Sequence, residues 1–237
     1  MTEAKRRTDR VSIPERPNDG GSERLEFFSD AIMAIAITLL VINIPVPRNT
    51  DAELQSGGLT HFLLHQWPSY LAYVLSFCTI GLIWVAHHSL FRRIGDVDRQ
   101  LLLINLGLMM FVAFLPFSTA VLAGFSWRGT ANSPASLEIY SLNMLAIGLA
   151  FLALWIYLAE HRSLFLGAIE RGALNGSIRR SLVPPLAYVI TCVLAFVSAG
   201  ACYGIWLGTT LYIAFGPATR KIPVWSATKS TKPNRRR

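Results

Sequence analysis

Apolar residues run along this chain in long blocks, and charged residues collect between them. Six blocks stand out, at 25–45, 67–91, 101–124, 136–159, 182–198 and 201–217. The first four have the length a helix needs to cross a hydrocarbon core of about 30 Å. Residues 182–216 form one apolar stretch, too long for a single ordinary span and barely long enough for two. Ser198-Ala199-Gly200 supplies its turn, which predicts a tight helical hairpin. The pattern predicts an all-α, polytopic membrane protein with six transmembrane helices over 25–217. Residues 1–24 are polar, with Pro14, Pro17, Gly20 and Gly21, and predict a disordered cytoplasmic tail. A cleaved leader would also place basic residues before an apolar block. Pro45-Val46-Pro47 at the end of that block is a poor cleavage site, so the block is read as an anchor.

Composition agrees with lipid as the solvent. The chain is 52% hydrophobic and 15% charged, against about 25% charged in soluble domains. Its net charge of +8 is distributed by side. Lys5 to Arg24 precede the first block, Arg92, Arg93 and Arg99 join the second to the third, and Arg162, Arg171, Arg179 and Arg180 join the fourth to the fifth. A basic tail at 218–237 closes the chain, leaving Arg48 and Arg128 as the exceptions among 22 basic residues. By the positive-inside rule both termini are cytoplasmic, in a multi-pass protein of the cell membrane. Arg235-Arg236-Arg237 then meets anionic lipid rather than nucleic acid. Cys78, Cys192 and Cys202 all fall inside apolar blocks and read as small hydrophobes.

The first block carries the unusual chemistry. Asp30 lies about 7–8 Å inside the helix, where a carboxylate is costly without a partner or a task. His87 and His88 close the second block at a similar depth, beside Asn105 of the third. They read either as a network with the first helix or as an interfacial pair. No further ligand has suitable spacing for a metal, and His61 and His65 read as surface residues on one helical face. Gly200, Gly204 and Gly208 repeat every four residues, a face that lets helices approach closely.

Arg24, Phe28, Ser29 and Asp30 spell R-x-x-x-F-S-D, continued by an Ala-Ile-Ala-Ile-Thr-Leu-Leu run. This pattern resembles the signature of transmembrane protein 175, the lysosomal potassium channel, and its bacterial relatives. Trp84, His87 and His88 at the end of the second block, and Asn105 in the third, extend the resemblance. Ala31 stands where bacterial relatives often have Gly. The resemblance implies a potassium-permeable, modestly selective cation channel built from four six-helix units. This chain has room for one unit and would be a homotetramer with the first helix lining its pore. It also implies a constriction at Ile35, further hydrophobic lining at Leu39 and Ile42, a selectivity layer at Thr38, and passing K⁺ near Ile35 and Thr38. Arg24, Phe28, Ser29, Asp30, Trp84, His87, His88 and Asn105 would form the network that holds the first helix.

At 100° per residue, Phe28, Ala31, Leu39 and Ile42 fall within about 40° of Ile35, with Thr38 at about 60°. Ser29 and Asp30 project about 120–140° away. Alone, such a stripe equally suits packing against another helix; with the resemblance it lines a pore. No Thr-Val-Gly-Tyr-Gly loop occurs, so a carbonyl filter is excluded. A hydrophobic constriction gating by dewetting remains, with outward helix C-termini and Asp51 and Glu53 favouring cations outside. No cofactor is implied. The second reading is a secondary transporter or exporter of a small solute, for which internal repeats and interrupted helices are lacking. A membrane enzyme is third, since no catalytic set shares one depth.

Overall fold

Prolines and glycines punctuate the apolar blocks and decide where each helix starts and stops. In the computed structural model, residues 20–49, 51–126, 131–167 and 171–216 are described. Among them the chain forms α1 (Gly20–Ile42), α2 (Ala52–His65), α3 (Trp67–Phe91), α4 (Arg99–Phe125), α5 (Ser133–Glu160), α6 (Arg171–Ser181), α7 (Val183–Leu194) and α8 (Ala199–Phe215). The tails before Gly20 and after Gly216, Arg128, and the side chain of Glu53 lie outside the described residues.

The helix α1 starts about one turn before the expected 25, inside the stretch read as a tail. It stops before Pro45, whose ring disfavours helical geometry in the residue ahead of it. Pro68 opens the first turn of α3, where its missing N–H costs nothing. Asp98 caps α4, its carboxylate accepting from the Leu101 backbone N–H at 2.8 Å. Among the described residues, four segments are long and apolar enough to cross a membrane: Gly21–Ile42, Leu54–Phe91, Arg99–Phe125 and Ser133–Glu160. Leu54–Phe91 includes most of α2, although the backbone breaks at Gly58 (φ 73°).

The last two expected spans are altered. Helix α7 has 12 residues, about 18 Å, and is too short to cross alone. The polar helix α6, expected as a loop, runs into it. Leu182 between them is itself helical (φ −77°, ψ −25°), accepting from Leu186 and donating to Ile178. Pro184 and Pro185 supply no backbone donors, which interrupts the ladder without ending the helical path. The hairpin turn falls where expected, with Ser198 capping α8 through the Ala201 N–H at 3.3 Å.

Helices α3, α4 and α5 form the centre, with α1 against α3 and α4, and α7 and α8 against α5. Leu108, Met109, Val112 and Leu115 of α4 are buried there beside Tyr140, Met144 and Trp206. The α3–α4 and α5–α6 connections pair through one antiparallel bridge, Ile94 with Phe165. Gly95 N–H donates to Leu164 O at 2.8 Å, and Leu166 N–H to Arg93 O at 2.9 Å.

Candidate functional site: one face of α1 and the clusters behind it

Burial divides α1 lengthwise. Leu25, Ser29, Met33, Ala36 and Leu40 are buried against α3 and α4. Phe28, Ala31, Ile35, Thr38, Leu39 and Ile42 are exposed, Ile35 at 58% and Ile42 at 72%. Among the described residues the stripe therefore does not pack against another helix. Ile37 and Ile44, on other faces, are half-buried. Thr38 donates its hydroxyl proton to Ile35 O at 2.9 Å. The bond leaves the hydroxyl oxygen's lone pairs free as acceptors on the exposed face.

Two side-chain clusters sit behind the inner half of the stripe. In the first, Ser29 Oγ donates to Leu25 O and accepts from Asn105 Nδ2, both at 2.9 Å. Asn105 Oδ1 pairs at 2.9 Å with His87 Nε2, which must be the donor because a carbonyl oxygen only accepts. Ser29, Asn105 and His87 are fully buried, and the His87 ring stacks on Phe91 at 4.1 Å. This chain of bonds ties α1 to α4 and α4 to α3. In the second cluster, Trp84 Nε1 donates to Asp30 Oδ1 at 2.9 Å. His88 stacks on Trp84 (5.6 Å between ring centres) and brings Nδ1 to 2.6 Å from Glu26 Oε1.

The structure thus gathers six of the eight expected network residues into two groups. Arg24 and Phe28 instead face outward, bordering a cavity of about 520 Å³ with Asn105, Leu102 and Leu106. Sequence reasoning passed over two residues. Glu26 sits one helical turn before Asp30, a spacing visible in the sequence, but its partner on α3 was not. Asn43 donates to Pro116 O at 2.7 Å and ties the outer end of α1 to α4. A polar residue closing an apolar helix was its signal. Asp51 accepts from the Arg48 backbone N–H at 2.8 Å and so shapes the outer loop.

The family model described as the endosomal/lysosomal potassium channel TMEM175 matches residues 24–116, which hold both clusters. A potassium channel of Streptomyces collinus is 45% identical over 178 residues, covering 75% of this chain and 84% of the relative. The chain belongs to the TMEM175 family. A second family member, a potassium channel of Chamaesiphon minutus, is 35% identical over 86% of this chain and 97% of its own. The human TMEM175, an endosomal/lysosomal proton channel, is 31% identical, and this chain spans 37% of it. Among solved structures, a lysosomal potassium-selective channel TMEM175 homolog from Chamaesiphon minutus superposes with a TM-score of 0.73 at 33% identity, over 81% of this chain and 96% of the homolog. The T38A variant of the potassium channel MtTMEM175 shares the fold, at a TM-score of 0.58 over 85% of this chain and 96% of that one. TMEM175 is thus a family of channels, not of enzymes.

Proposed function

We propose that this TMEM175 chain is a potassium-permeable cation channel of the cell membrane, assembled as a homotetramer around the exposed face of α1. The observation that carries this reading is the division of α1. Its polar anchors Ser29, Asp30 and Asn43 point into the chain. The stripe from Phe28 to Ile42 is exposed and includes the one hydroxyl at Thr38. Potassium is the ion named for the two relatives that this chain covers over most of their length.

Four copies of Ile35 facing one axis form a narrow apolar ring. Its β-branched side chain is stiff at χ1 and holds a defined radius. Such a ring gates by excluding water, so hydration of the ring sets the barrier. Thr38 follows about 4.5 Å further along the helix and offers an oxygen in place of lost hydration water. Leu39 and Ile42 continue the apolar wall outward. Six membrane-crossing segments, as the block pattern predicts, put both termini and most basic residues, Arg171, Arg179 and Arg180 of α6 among them, in the cytoplasm. The basic tails then lie against anionic lipid.

The test places single cysteines in a cysteine-free background and measures K⁺ flux from liposomes with thiol reagents. Cysteines at Ile35, Leu39 and Ile42 are expected to react and block flux, while a cysteine at Ile37 stays inert. The opposite pattern removes α1 from the permeation path. Saturating flux coupled to a second ion would make the protein a carrier.

A further inference from the structure

Three metal-binding side chains converge at the inner end of α1, and the channel reading uses none of them as ligands. Glu26 and Asp30 lie one turn apart on α1, and His88 reaches them from the last turn of α3. One ligand atom from each lies within 4.8 Å of the others. We propose that Glu26, Asp30 and His88 form a binding site for a divalent transition-metal ion, of the Zn²⁺ class, that pins the inner end of α1 to α3.

Geometry and donor chemistry both support this. Ligands at about 2.1 Å around a tetrahedral ion lie about 3.4 Å apart. The three groups need only side-chain rotation to reach that spacing. His88 Nδ1 is shielded from water, has no hydrogen-bond partner, and faces Glu26 Oε1 at 2.6 Å. A positive charge belongs between two such atoms, either a proton on Nδ1 or a metal ion that takes its place. Asp30 is oriented by the Trp84 N–H on Oδ1, which leaves Oδ2 for the ion. A bond from outside the ligand set that fixes a ligating carboxylate is the usual support of a metal site. One imidazole and two carboxylates suit Zn²⁺ better than Ca²⁺ or Mg²⁺, which prefer all-oxygen shells. The three groups are half-buried, so the fourth position is open to water.

Binding stands on this geometry alone, whereas any effect on conduction rests on α1 lining the pore. Detergent-solubilised full-length protein is titrated with Zn²⁺ by calorimetry, and with Co²⁺ for its visible ligand-field spectrum. Both titrations use a His61→Ala, His65→Ala background, because those rings stack at 5.9 Å and could chelate independently. One ion per chain is expected, with affinity at least tenfold weaker in His88→Gln and in Glu26→Gln. Trp84→Phe, which keeps the ligands but frees Asp30, is expected to weaken binding by roughly tenfold. Each variant is taken forward only if it elutes and melts as the parent does; His88→Gln and Glu26→Gln are independent routes to the same answer. Absence of binding in the background protein, or unchanged affinity and Co²⁺ spectrum in both variants, overturns the site. K⁺ flux of the metal-free protein reports separately on the channel reading.

Discussion

Asn105 holds the most consequential position among single residues, because both ends of its amide are used. Truncation to Ala would strand the buried His87 Nε2, while Ser29 would lose the amide donor and keep its bond to Leu25 O. A stranded buried group costs about 1–3 kcal/mol. Asn105→Ala is therefore expected to lower the melting temperature clearly, in the absence of any ion, as read by fluorescence-detected unfolding. Ile35 and Thr38 carry a different pair of expectations. Ile35→Asn wets the constriction, raising conductance and reducing discrimination between K⁺ and Na⁺. Thr38→Val keeps the shape without the oxygen, so the K⁺ preference falls and so does conductance. Reversal potentials under a K⁺/Na⁺ gradient in planar bilayers read both; two unmoved values would remove the filter from α1. At this scale the sequence disclosed which residues were unusual, through depth and motif. It did not disclose pairing: nothing in the spacing separates His87, turned inward to Asn105, from His88, turned toward Glu26.

Helices were legible in proportion to their apolar contrast. The span expected at 67–91 coincides with α3, and α4 and α5 differ from expectation by a turn or less. Helix α2 escaped notice because Gly57-Gly58 breaks its pattern, and α6 because its residues are mostly polar. The glycine face of α8 is a different case. Gly204 and Gly208 have no heavy atom of the described chain near a would-be Cβ, and Gly200 meets only Ser198 Oγ. Contacts within α8's own bundle come instead from Trp206 and from Thr210, at 3.4 Å from Thr79. Caps are also testable. Tyr157 donates to the second oxygen of Asp98, and that bond holds the carboxyl below the ordinary aspartate range. A lowered folded pKa means that the ionised cap's contribution is complete above about pH 3.9 and is lost as pH falls through the folded value. Asp98→Ala is expected to cost about 1 kcal/mol at pH 7. The gap to the parent should hold down to about pH 4 and close in stronger acid. Paired thermal melts across that range check it.

For the whole molecule, four apolar segments long enough to cross a membrane among the described residues and a channel-family fold agree with an all-α membrane protein. The number of copies was never in the block pattern. One chain leaves half of α1 uncovered, and only the family resemblance says that copies of itself complete the pore. Native mass spectrometry is expected to give a tetramer that survives gentle activation. A monomer or dimer under those conditions would leave the α1 stripe facing lipid.

The two ties between α1 and α4 have a mechanical consequence. Ser29 is fixed to Asn105 near one end and Asn43 to Pro116 at the other, about 21 Å apart along the helix. A rod clamped at both ends cannot swing like a hinged door; it yields most at mid-length. Ile35 and Ala36 lie halfway between the clamps. If α1 lines the pore as proposed, the aperture changes by bowing and side-chain rotation at mid-length, while the ends of the rod stay in register with their neighbour.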